Sequence, residues 1–153
     1  MLALLVLLGV LAGCGKAVST PSAAYDLNAL VGDLRAASTT VRVTQHQIDD
    51  GFAVKGQRIE VDGLPVFVYE FAGEQAMEDA ASGVSADSRS ITVRHMEDGR
   101  QVWTHGDWAE TPYLYKKGRL IVITGEDRHV RRVLRPILDR HFAGGPWAFL
   151  SNN

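Results

Sequence analysis

One cysteine, Cys14, among 153 residues leaves no partner for an intramolecular disulfide, so the chain is not a disulfide-stapled scaffold. No apolar run is long enough to span a bilayer. The run that opens the chain ends at Lys16, and a spanning helix needs about 20 apolar residues. Neither sign of charge is in excess: 16 Lys and Arg against 18 Asp and Glu leave a formal charge of −2. That balance gives no global electrostatic footprint for nucleic acid. There is no G-x-S-x-G motif and no Gly-rich phosphate loop. The five histidines (His46, His95, His105, His129, His141) include no pair at helical ligand spacing. His105-Gly106-Asp107 sets an imidazole beside a carboxylate, with Glu110 close by. A zinc site needs three or four convergent ligands, and solvated loop residues are the plainer explanation. Asp49-Asp50, Glu78-Asp79 and Glu126-Asp127 are adjacent carboxylates of the kind that serve turns and helix caps. No catalytic residue, metal or cofactor is therefore assigned.

What the chain does have begins at its first residues. Leu2 to Leu8 is almost purely aliphatic, and the run leads into Leu11-Ala12-Gly13-Cys14. Its length suits the hydrophobic region of a secretory signal. No Lys or Arg precedes it, which points to a start upstream of Met1. The stretch resembles the lipobox of bacterial lipoproteins, matched position by position by Leu11, Ala12, Gly13 and Cys14. The resemblance implies cleavage before Cys14, a diacylglyceryl thioether on its sulfur and acylation of its new amine. Each buried methylene contributes ~0.8 kcal/mol, so one acyl chain holds marginally and two or three anchor durably. Lipidation also accounts for an unpaired thiol in an oxidising compartment. The alternative is a cysteine buried in an N-terminal hydrophobic helix. The expectation is an extracytoplasmic protein anchored to a bacterial membrane, inner or outer not being readable.

Removal of residues 1–13 leaves 140 residues, a comfortable size for one domain, and a hydrophobic content of 46% suffices for a core. Gly15 to Ala24 is small and polar, a flexible tether of ten residues that reaches ~30 Å when extended. The organisation expected is signal peptide 1–13, lipidated Cys14 and tether 14–24, and a single α+β domain over 25–149.

Asp26 can cap a helix carrying Leu27, Leu30, Val31 and Leu34. Thr39 to Thr44 is β-branched and reads as a strand. Gly56–Val61 and Leu64–Phe71 flank Asp62-Gly63, the strongest short hairpin signal. A helix is expected over Ala72 to Ala86, and strands over Ile91–His95 and Gln101–Thr104. Pro112–Tyr115 and Arg119–Thr124 form a last hairpin, the second run continuously apolar as in a central strand. Asp127 then caps an amphipathic helix over Arg128 to Phe142, with Val130, Val133, Leu134, Ile137, Leu138 and Phe142 as its core stripe and a kink at Pro136.

A shift of about 55 residues sets Gly63 on Gly118 and Val66-Phe67-Val68 on Ile121-Val122-Ile123. Each half then reads strand, turn, strand, helix, by duplication or by chance recurrence. Either way the fold expected is α+β: an antiparallel sheet with helices on one face. Residues 25–145 are similar to small bacterial lipoproteins of unknown function. The resemblance rests on the Tyr69-Glu70-Phe71 passage into a helix, on Pro112–Tyr115 with Gly118–Val122, and on Phe142-Ala143-Gly144. It brings no activity, cofactor or catalytic set.

Two surfaces are candidates for binding. The last helix carries Arg128, Arg131, Arg132 and Arg135, with Arg140 and two histidines. Near an anionic leaflet each cation could contribute ~1 kcal/mol; the alternative is a solvated face paired with neighbouring carboxylates. Trp103, Trp108, Tyr113 and Tyr115 could line a partner or ligand groove, or close a small core. The function expected is a non-catalytic envelope interaction module, its partners being the membrane and another envelope protein. The alternative is a small-ligand carrier, with an enzyme third.

Overall fold

The computed structural model of the protein describes residues 24–49, 51–97, 100–107 and 111–145, with the backbone alone described over 93–107. In chain order the elements are α1 (Leu27–Ala36), β1 (Val41–Ile48), β2 (Gly56–Val61), β3 (Leu64–Glu70), α2 (Glu74–Ala81), β4 (Ser90–Glu97), β5 (Arg100–Asp107), β6 (Tyr113–Lys117), β7 (Leu120–Thr124) and α3 (Arg128–Leu138). Five strands form one antiparallel sheet in the order β1-β2-β3-β7-β6, and β4 and β5 pair separately as a hairpin. This is an α+β fold.

Strand alternation sorts the core into two layers. Ile59, Val61, Val66, Val68, Tyr113, Tyr115, Leu120 and Val122 face one side and are covered by Leu30 and Leu34 of α1 and Val130, Leu134 and Leu138 of α3. Tyr69, Leu114, Ile121 and Ile123 face the other and are covered by Met77 and Ala81 of α2, with Phe52, Phe71 and Ile91. The helices therefore do not share one face, as the strand-turn-strand-helix reading of the two halves implied: α1 and α3 do, and α2 lies opposite. The cause is in β7, where all five residues are buried. A strand apolar on both sides needs cover on both sides.

The repeat is corrected in the same way. In the first hairpin Asp62 (φ 50°) and Gly63 (φ 83°) are both left-handed, as a type I′ turn requires. In the second, the two-residue loop is Gly118-Arg119, and only Gly118 (φ 56°) is left-handed, as in a type II′ turn. Gly63 is thus the second residue of its turn and Gly118 the first. The hairpins correspond at a shift of 56 residues, not 55. One residue matters, because a slip of one moves every side chain to the opposite face. At 56, Val66 meets Val122 and Ile59 meets Tyr115, all in the same layer. The resemblance ends with the strands, since α2 and α3 pack on opposite faces.

Both expected caps form. The Asp26 carboxylate accepts from Ala29 N at 2.9 Å, and Asp127 accepts from His129 N and Val130 N at 2.8 and 3.0 Å. The last helix, expected to run to Phe142, ends at Leu138, two residues after Pro136, and Asp139 turns left-handed with φ 63°. Phe142 consequently leaves the α3 stripe and packs with the layer under α2. The chain crosses the sheet edge to get there: Leu114 N donates to Ala143 O, and Phe142 N donates to Leu114 O. Residues 141–145 thereby cover part of the outer edge of β6.

Candidate functional site

The crossing of residues 139–145 over the β6 edge leaves a groove of about 1030 Å³ beside α3. Its lining includes Arg128, Arg131, Arg132, Arg135, Arg140 and His141, with Tyr115, Pro136, Phe142 and Ala143 as the less polar part. Helical spacing explains the row: 128, 131, 132 and 135 are i, i+3, i+4 and i+7, one face of a helix whose opposite stripe is buried in the core.

That row is costly to the fold. Like charges at i, i+4 (Arg128 with Arg132, Arg131 with Arg135) destabilise a helix by about 0.2–0.5 kcal/mol each. Cations in the first turns also oppose the helix dipole, and α3 has no acidic residue in its first turn. Three arginines elsewhere are matched: Arg42 and Arg58 pair with Glu60, and Arg119 pairs with Glu70 and Asp26. Among the described residues, no carboxylate pairs with Arg128, Arg131, Arg132, Arg135 or Arg140. The pairing with neighbouring Asp and Glu that could have made this an ordinary solvated face is not found there.

The inner end of the groove is built on two tyrosines. The Arg131 guanidinium lies 4.1 Å over the Tyr113 ring, and its Nε is buried without a hydrogen-bond partner. The stack fixes the plane of the guanidinium, so its fork is held ready for a planar or tetrahedral acceptor. His141 stands edge-on to Tyr113 and Tyr115, at centroid distances of 5.2 and 6.0 Å. Burial lowers the His141 pKa below its usual range, and Arg131, Arg135 and Arg140 push it the same way; a backbone hydrogen bond at Gly144 opposes them. Burial raises the Tyr115 phenol above its usual value, against the pull of Arg131 and Arg135. The groove thus holds an excess of fixed positive charge, a neutral imidazole and a neutral phenol.

Gly144 sets the wall. Its φ is +89°, and a Cβ there would lie 2.0 Å from the Pro112 carbonyl oxygen. Its N–H donates to Ala86 O at 3.0 Å, and the buried Ser88 hydroxyl donates to Pro112 O. Three separate segments, 86–88, Pro112 and Gly144, are thereby drawn together behind the groove.

Of the sequence candidates, Arg128, Arg131, Arg132 and Arg135 are brought together in the groove, Tyr115 lines it, and Tyr113 is buried beneath Arg131. Trp108 and Glu110 lie outside the described residues, as do the side chains of Trp103, His105 and Asp107. The proposed lipidation site Cys14 and the tether up to residue 23 also lie outside them. His129 turns away from the groove, its Nε2 2.7 Å from Asp62 Oδ2 at the first hairpin. His141 and the 142–144 wall carried no site signal in sequence, because Phe142 continues the helical stripe on paper.

Among the described residues no group of three His, Cys, Asp or Glu side chains could hold a metal ion, and no helix is long and apolar enough to cross a membrane. No protein-family model, no curated protein and no solved structure matches the chain.

Proposed function

We propose that the protein is a lipid-anchored, extracytoplasmic binding module that uses the α3 groove to hold an anionic component of the cell envelope. The observation that carries this reading is the row of five arginines around one groove with no carboxylate partner among the described residues. Violations of local stability rules concentrate where function requires them, and here the violation is of one sign and one face. Among the described residues the lining offers a single imidazole and no carboxylate, so these supply no imidazole–carboxylate pair of the kind hydrolysis or proton transfer uses. That favours binding over catalysis. The location rests on the lipobox resemblance at Leu11 to Cys14.

The test is vesicle flotation with the triple variant Arg131→Gln/Arg132→Gln/Arg135→Gln. The wild type should float with vesicles containing phosphatidylglycerol beyond what it shows on phosphatidylcholine, and the variant should lose that increment. Equal flotation of variant and wild type on both compositions would remove the groove from the reading.

A further inference from the structure

We infer that the α3 groove takes a ligand carrying at least two phosphate groups, a conclusion that rests on the anion-binding reading above and names its ligand. Three features set the chemistry. The first is length: from Arg128 to Arg135 the helix rises about 10 Å at ~1.5 Å per residue, and a single phosphate cannot meet both ends of such a row. The second is charge density. Five arginines line one groove with no carboxylate partner among the described residues. A phosphomonoester brings about −1.5 to −2 per group, more than any carboxylate can. The third is division of the walls. Four of the arginines stand along α3 and Arg140 just beyond it, while Pro136, Phe142 and Ala143 form an apolar border. Phosphates joined by a carbon linker fit that division, their oxygens on the forks and the linker on the border. Arg131, fixed on Tyr113 beside His141, holds one phosphate; Arg128, one turn nearer the start of α3, holds the next together with Arg132 at i+4.

Such a ligand has two sources, a lipid headgroup with two phosphates or a free polyphosphorylated solute, and position bears on the first. Tyr25, which follows the tether, packs under the Lys117 ammonium (4.3 Å to its ring), and Lys117 Nζ donates to Ile137 O at 2.6 Å. Ile137 follows Pro136 of the groove border, so the start of the folded domain lies beside the C-terminal end of α3, where one end of the groove also lies.

The experiment uses the full lipidated protein in phosphatidylcholine nanodiscs, titrated with orthophosphate, tripolyphosphate and citrate, and read by calorimetry and by amide exchange of residues 128–145. Tripolyphosphate should bind about tenfold or more tighter than orthophosphate and than citrate, and should slow exchange in this segment. Arg128→Gln/Arg132→Gln, whose side chains are exposed at the start of α3, should lose about tenfold with the fold unchanged; Arg131→Gln/Arg135→Gln should lose at least as much. Discs containing cardiolipin, matched in charge by discs containing phosphatidylglycerol, identify the source. Weaker tripolyphosphate binding in the cardiolipin discs alone marks a headgroup ligand, and equal binding in both marks a free one. Either result supports a multi-phosphate site. Citrate binding as tightly as tripolyphosphate overturns the phosphate assignment and leaves the anion-binding reading standing. Absence of binding by every anion, with no flotation on phosphatidylglycerol vesicles, overturns both.

Discussion

His141 is where a single residue couples the groove to solution conditions. Its pKa is lowered first by burial and then by Arg131, Arg135 and Arg140, with Tyr113 and Tyr115 of β6 against its ring and Gly144 pulling the other way. The unfolded chain therefore binds a proton at this site more readily than the folded one. The stability that neutral His141 contributes is whole above the usual histidine range and is lost as pH falls from ~6.5 through the lowered folded value. His141→Gln should remove that dependence. Urea unfolding between about pH 8 and about pH 5 should show the wild type losing stability relative to the variant on the acid side. Parallel curves would mean that neither burial nor the arginines lower the imidazole's pKa in the fold. A bound polyanion offsets the arginine part of that shift: ligand binding should take up a proton at His141, so the affinity of wild type should rise on acidification by more than that of the variant. Gly144 is the other residue with a sharp expectation. Alanine there would have to adopt φ +89° and place a Cβ 2.0 Å from Pro112 O. Gly144→Ala should cost more than about 1 kcal/mol and weaken anion binding together with stability, since the wall and the fold share that contact.

At the scale of elements, α3 depends on its first turn. Asp127 accepts two backbone N–H groups at 2.8 and 3.0 Å, and its carboxylate is the anionic group at a helix start otherwise occupied by Arg128 and His129. Asp127→Ala should cost about 1 kcal/mol, a melting shift of a few degrees, and by loosening the row should lower anion affinity more than the local stability loss alone explains. If affinity falls only in proportion to the folded fraction, the row does not need α3 to be intact at its start. The capped helices and both hairpins were legible in the sequence because each announces itself locally: Asp26 and Asp127 before apolar periodicity, Asp62-Gly63 between alternating runs, Lys117-Gly118 before Leu120 to Thr124. What was not legible depended on contacts between elements. The 55-residue shift aligned glycines that sit at different turn positions, and only the paired register reveals the residue of difference. The side of the sheet taken by α2 follows from Ile121 and Ile123, whose burial looks the same in sequence whichever face is covered. The end of α3 was overrun because Phe142 falls in phase with Leu138, although Pro136 already marked the place. The arginine row was visible as spacing. Its lack of acidic partners and its second wall were not, since both are properties of what lies across from the helix.

For the whole molecule, the decisive question is whether groove and anchor belong to one device. Tyr25 and Lys117 set the beginning of the folded domain beside the C-terminal end of α3, and the proposed tether of ten residues would reach ~30 Å at most. Anchored as proposed, the domain would stay within that reach of the leaflet, where each groove cation would add ~1 kcal/mol of attraction that salt can screen. Acyl chains behave differently, because their burial is not electrostatic and does not weaken with salt. The two contributions therefore separate by experiment. Metabolic labelling with palmitate should mark the wild type, and the intact mass of the membrane-extracted protein should correspond to a chain that begins at Cys14 and carries diacylglycerol on its sulfur. Cys14→Ala should incorporate no label. The mature wild type should remain on membranes at high salt, and so should the Arg131→Gln/Arg132→Gln/Arg135→Gln variant, since the groove reads the surface but does not hold the protein there. Label retained in Cys14→Ala, or a mass that includes residues 1–13, would end the lipoprotein reading. Release of the triple variant from membranes by salt would shift the anchoring role from the lipid to the arginines, and the groove would then be an adhesive face of the domain, not a site for a particular ligand.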